Sequence, residues 1–131
     1  LLARAGQAER ALELFRMAAR LDLDDLTGTT AGGLHLATMG GVWQALAFGF
    51  LGLRARGGSL AVRPCLPEAW RALGLRFRFE GHPVAIRADH DRVTIACVAP
   101  LRVQISDRTQ LCEPPNTTFA LVPSVKERRE R

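Results

Sequence analysis

The 131-residue chain has no tyrosine, a single lysine (Lys126) and only three cysteines. Cys65, Cys97 and Cys112 form an odd, widely spaced set without a C-x-x-C pair. That excludes a zinc ribbon and a dithiol redox motif, and argues against a disulfide framework. Buried thiols kept reduced fit a cytoplasmic compartment. The opening Leu1-Leu2-Ala3-Arg4 lacks a Met and every part of a secretory signal, and runs straight into helical periodicity. The chain therefore reads as a piece of something longer. Lysine scarcity leaves the +5 net charge almost wholly to arginine, a preference that reflects coding bias more readily than nucleic-acid binding. With 47% hydrophobic and 24% charged residues, the composition is that of a globular protein and excludes disorder over most of the length. A complete barrel enzyme usually needs about 250 residues, so one is not expected here.

What is present falls into three zones. Ala11, Leu14, Phe15, Ala18 and Leu21 recur at helical spacing, with Glu9, Arg10, Glu13, Arg16 and Arg20 mostly opposite, which predicts an amphipathic helix ending near Leu21. Asp22, Asp24 and Asp25 then open a loop; acids at such a junction cap or face solvent more often than they bind metal, and no metal site is expected. From Leu26 to Leu53 there is no Asp, Glu, Lys or Arg. Within that stretch, Val42 to Leu53 is apolar on nearly every side of a helix, closed by Arg54 and Arg56. Such a helix is either surrounded by protein or spans a membrane. His35, Gln44 and the glycines weigh against the membrane, so burial in a larger helical domain is expected, with Trp43 packing the helix.

From Gly57 the period changes to two. Leu75, Phe77 and Phe79 alternate with Arg76 and Arg78, followed by runs through Val84 and Ile86, through Val93, Ile95 and Cys97, and through Leu101, Val103 and Ile105. Turns are expected at Glu80-Gly81, Asp89-His90-Asp91 and Ala99-Pro100, with His82 and His90 as turn residues. The pattern predicts antiparallel strands with one buried face, most simply a β-sandwich. Because alternation separates the Phe rings from the arginines, a nucleic-acid platform is not indicated.

Chemistry is densest at Gly32-Gly33-Leu34-His35-Leu36-Ala37-Thr38-Met39-Gly40-Gly41. Glycines allow close backbone approach, a helix amino terminus offers unpaired N–H groups, and a histidine and a hydroxyl add donors. These are the ingredients of an anion site, most naturally for phosphate. The Gly-Lys-Ser/Thr core of a P-loop is absent. On these residues alone a second reading stays open, in which the loop only caps a buried helix and His35 is satisfied internally.

Several ordered motifs resemble one family. Asp22-Leu23-Asp24-Asp25, Thr30-Ala31-Gly32-Gly33-Leu34-His35, Gly40-Gly41-Val42-Trp43-Gln44 and Phe48-Gly49-Phe50-Leu51-Gly52-Leu53-Arg54 resemble the end of the catalytic domain of glycoside hydrolase family 65, the maltose, trehalose and kojibiose phosphorylases. Leu60-Ala61-Val62-Arg63-Pro64-Cys65-Leu66-Pro67, Trp70 and Leu75 to His82 resemble the start of its carboxy-terminal domain. The resemblance runs from about Glu9 to Ile105. It implies an α+β piece: the last helices of an (α/α)6 barrel over residues 1–56, an antiparallel, jelly-roll-like β-sandwich over 57–122, and a charged tail over 123–131.

The resemblance further implies inverting phosphorolysis of an α-glucosidic bond to β-glucose 1-phosphate. Inorganic phosphate is then a co-substrate, a disaccharide the substrate, and no other cofactor is needed. The parent is expected to be a homodimer with neither a nucleic-acid nor a membrane partner. Carried over from the family's Gly-x-His-x-x-Ser-x-Gly-Gly loop, the phosphate-binding residues are His35, Thr38, Gly40 and Gly41. Thr38 stands where serine is more usual, keeping the hydroxyl and adding a methyl. The general-acid glutamate is expected upstream of this chain; Glu9 and Glu13, on an exposed helix face, are poor substitutes. No catalytic residue is therefore assigned here, and the chain alone is expected to be inactive. An acid-free loop suits an anionic nucleophile. A family-related α-glucoside hydrolase (trehalase-like), or a non-catalytic sandwich bracing a barrel or dimer, are the alternatives.

Overall fold

A computed structural model describes residues 1–121, so the charged run expected over 123–131 lies outside the described residues. Helix α1 spans Ala8–Arg20, α2 spans Leu36–Gln44, and a π-helical segment, Ala45–Phe50, continues α2. Eight strands follow: β1 (Arg54–Arg56), β2 (Ser59–Val62), β3 (Leu73–Phe79), β4 (His82–Ala88), β5 (Arg92–Cys97), β6 (Leu101–Ile105), β7 (Arg108–Cys112) and β8 (Asn116–Ala120).

The amphipathic stripe of α1 is rotated from the expected one. Leu12 is buried against Ala3 and Phe50, with Ala11 and Phe15 packed beside it. Leu14, read as core, is 53% exposed. The apolar helix starts earlier and stops sooner than its composition suggested. The Leu51 N–H reaches the Leu46 carbonyl five residues back at 2.9 Å, a widened turn that ends the helix. Arg54 and Arg56, expected to close it, instead lie in β1, paired antiparallel with β2. Trp43 is 45% exposed and packs edge-on at 5.7 Å against Phe48 of the segment that continues its own helix. No helix among the described residues is long and apolar enough to cross a membrane.

The strands form two four-stranded sheets, ordered β1-β2-β6-β7 and β3-β4-β5-β8. Alternation places Val84, Ile86, Val93, Ile95, Val103 and Ile105 in one shared core. Glu80 and Gly81 both take positive φ and join β3 to β4, the two-residue turn whose twist suits a hairpin. Asp89 caps its own turn by accepting from the N–H groups of Asp91 and Arg92 at 2.9 and 2.8 Å. His90 lies in that turn and donates through Nε2 to the Trp70 carbonyl at 2.9 Å, whereas His82 begins β4 and is exposed.

One pairing departs from the antiparallel expectation. Strand β2 runs parallel to β6, with Leu60 opposite Val103 and Val62 opposite Ile105. Between them the chain builds β3 to β5 in the other sheet, and such a crossover is what a parallel pair requires.

Helices and sheets meet at an aromatic cluster. Phe15 of α1 contacts Phe50 and Trp70 edge-on, each at 5.7 Å, and Phe50 lies 4.7 Å from Trp70. Two polar contacts tie the same joint: the Cys65 N–H donates to the Phe50 carbonyl at 2.7 Å, and the Glu68 N–H to the Glu9 carboxylate at 2.7 Å.

Candidate functional site

The loop between α1 and α2 is built by side chains that capture backbone groups. Asp25, at positive φ, accepts from the Thr30 N–H at 3.0 Å, and that bond holds its carboxyl below the usual carboxylate range. Asp24 pairs with Arg20 one helical turn away at 2.7 Å. Asp22 reaches thirteen residues forward to His35. Its Oδ2 accepts from the His35 backbone N–H at 3.0 Å, and its Oδ1 lies 2.5 Å from the ring Nδ1. The three acids thus go to three different partners. Among the described residues no group of three or more His, Cys, Asp or Glu side chains is placed to hold a metal ion.

The Asp22 side chain is only 4% exposed, and the hydrogen bond from the His35 ring is the largest influence holding its carboxyl below the usual range, against the opposing effect of burial. A carboxylate there is an acceptor, so Nδ1 carries a proton. The other nitrogen, Nε2, lies 3.3 Å from Thr29 Oγ1, which is 2.7 Å from Thr27 Oγ1. The second ring nitrogen therefore meets a hydroxyl on the exposed side of the loop.

His35 precedes α2 as its N-cap residue, and its carbonyl accepts from the N–H groups of Thr38 and Met39 at 2.9 and 3.1 Å. His35 and Thr38 are thus brought into one turn. Thr38 and Gly41 line an apolar groove between α1 and α2 with Leu14, Phe15, Val42 and Phe50. Gly40 is exposed and lies outside that lining, so the four expected residues do not form one cluster of side chains.

The glycines also divide differently from the sequence reading. Gly33 takes φ +134°, which a side chain disfavours, but Gly40 and Gly41 are helical and turn no loop. A Cβ at either would meet nothing within 4 Å, so each position has open space beside it among the described residues. Sequence reading also missed Asp22 as the partner of His35. No local spacing signals a pair thirteen residues apart, and the acid-free run from Leu26 obscured it, because the fold brings carboxylates in from upstream.

Comparison with known proteins places these elements. Residues 1–44 match the central catalytic domain of glycosyl hydrolase family 65, and residues 53–111 match the family's C-terminal domain. An α,α-trehalose phosphorylase of Geobacillus stearothermophilus is 38% identical over 87 residues, covering 66% of this chain and 11% of that protein. A maltose phosphorylase of Bacillus subtilis is 33% identical over 99 residues, 74% of this chain and 13% of the relative. A kojibiose phosphorylase of Halothermothrix orenii is 29% identical over 102 residues, 78% and 13% respectively. A solved structure assigned as a kojibiose phosphorylase from human microbiome superposes with a TM-score of 0.84 at 22% identity, covering 94% of this chain and 18% of that one. That likeness bears on the fold: a helical end followed by a β-sandwich. The chain spans about an eighth of the length of these curated relatives. The chain belongs to glycosyl hydrolase family 65.

Proposed function

We propose that this chain is part of an inverting disaccharide phosphorylase and contributes to its phosphate site through His35, Thr38, Gly40 and Gly41. In that reaction a phosphate oxygen attacks the anomeric carbon, the glycosidic C–O bond breaks, and the leaving sugar oxygen takes a proton from a glutamate. The products are β-glucose 1-phosphate and a free sugar. The glutamate belongs to a part of the enzyme other than these residues, so the chain by itself is inactive on this reading.

The observation that carries the reading is the placement of His35. It stands at the start of α2 with Nδ1 engaged by Asp22, Nε2 at the Thr29 hydroxyl on the exposed side of the loop, and Thr38 in the same helical turn. An anion there meets a ring nitrogen, hydroxyls and the positive end of the helix. The match to trehalose, maltose and kojibiose phosphorylases supports the same reading. Phosphate is then the only co-substrate, and the enzyme works as a homodimer in the cytoplasm.

The test is an assay of the full-length enzyme for phosphate-dependent release of glucose 1-phosphate from trehalose, maltose and kojibiose. His35→Ala is expected to raise the KM for phosphate roughly 10- to 100-fold, the effect of losing one charge-assisted hydrogen bond. An unchanged phosphate KM would sink the assignment. Sugar release indifferent to phosphate would make the enzyme a hydrolase.

A further inference from the structure

The strongest unassigned feature is the contact between Asp22 and His35, which joins the end of α1 to the start of α2. Both Asp22 carboxylate oxygens are committed to one residue, one to its backbone N–H at 3.0 Å and one to its ring Nδ1 at 2.5 Å. Two bonds from one rigid, buried group constrain a histidine more than either alone. The backbone bond sets where Cα lies, and the ring bond sets the side-chain torsions and which nitrogen is occupied. Asp22 is the one buried charged residue among the described residues. Burying a carboxylate is unfavourable unless it is paired and hydrogen-bonded, and here His35 supplies both bonds. A group held in this way suits a task in which the far nitrogen must sit at a set place.

We infer that Asp22 is a positioning residue for the phosphate site, holding His35 so that Nε2 faces the bound anion. The inference rests on the phosphate reading of His35. Asp22 itself touches no substrate: its Oδ1 accepts from Nδ1 and its Oδ2 from the backbone N–H, and the anion is held by a proton on Nε2, so that the ring stands between the carboxylate and the anion. This resolves the conflict of placing a carboxylate beside an anion site. It also assigns the roles of the two ring nitrogens, Nδ1 to Asp22 and Nε2 to the ligand, which there takes the place of the Thr29 hydroxyl now 3.3 Å away.

A double-mutant cycle in the full-length enzyme tests this, with inorganic phosphate and the preferred disaccharide as substrates. Asp22→Ala is expected to raise the phosphate KM about tenfold, with a much smaller change in the disaccharide KM. In a His35→Ala background the same substitution should add nothing further. Asp22→Asn, which keeps the size and can still accept from the backbone N–H, guards against a variant that fails to fold, and should fall between wild type and Asp22→Ala. Additive effects of Asp22→Ala and His35→Ala would overturn the inference, because an Asp22 that merely braces the loop would not need His35. An effect of His35→Ala with none from Asp22→Ala or Asp22→Asn would overturn it while leaving the phosphate reading intact. If His35→Ala itself leaves the phosphate KM unchanged, both fall together.

Discussion

At the scale of single residues, two glycines show how one residue type serves opposite needs. Gly52 takes φ +65° where the chain leaves the helices, and a Cβ there would run into the Arg63 carbonyl. Gly52→Ala therefore combines a left-handed backbone with a clash against main chain, and should destabilise the protein by about 2 kcal/mol or more in chemical denaturation. Gly40 is helical and faces open space. Gly40→Ala should stabilise the protein by about 0.5–1 kcal/mol, while weakening phosphate binding if that open space admits the anion. Both glycines were visible in the sequence, yet their roles were not, since the residue type does not reveal what lies opposite it.

Acid sensitivity belongs to this scale as well. Asp22, Asp25 and Asp89 each have carboxyls held below the usual range by hydrogen bonds, from the His35 ring, the Thr30 N–H and the Asp91 N–H respectively. A carboxyl whose folded value is depressed adds stability above the unfolded value of about 3.9, and that contribution is lost as pH falls through the folded value. Denaturation midpoints measured from pH 6 to pH 2 should show wild type and Asp22→Asn converging below about pH 4. A gap that stays constant over that range would contradict this assignment.

At the scale of elements, the two sheets are joined through their buried faces, and the cysteines report on that joint. Cys97 of β5 and Cys112 of β7 belong to different sheets, and their sulfurs lie 3.4 Å apart. Burial, reinforced by Cys112, pushes the Cys97 thiol up to about 11. The thiolate is the reactive form, so at pH 8 very little of Cys97 is available. Iodoacetamide at that pH should leave Cys97 and Cys112 unmodified in the native protein and label both in denaturant. Labelling of either without denaturant would mean the sandwich opens or packs otherwise. The alternating runs made β3 to β6 legible from the sequence. Strands β7 and β8 were not, because Arg108–Cys112 buries one residue at its end and Asn116–Ala120 one near its end, which leaves little periodic signal. Their partners, β6 and β5, are what hold them in the sheets.

Across the whole molecule, the helical part is left uncovered. Leu14, Met17, Leu36, Trp43 and Phe48 are all exposed, Leu36 at 75%, and the groove between α1 and α2 is largely apolar. An apolar groove flanked by further exposed apolar side chains drives association. The 131-residue chain on its own should therefore sediment as a concentration-dependent mixture of species, and Leu14→Glu with Met17→Glu should shift it toward monomer. A monomer at every concentration would show that these residues find cover within the chain.

The sequence by itself determined that a helical zone precedes a sheet zone, which faces of four strands are buried, and which loop concentrates polar chemistry; side-chain period and local turn chemistry act over a few residues and need no distant partner. Its ordered motifs also carried the family. Only the tertiary structure decided that β2 runs parallel to β6 and that Asp22 closes on His35. Each of these depends on where segments far apart in the chain come to rest. No local period records that, because the free energy that selects it comes from contacts made only after the elements have packed.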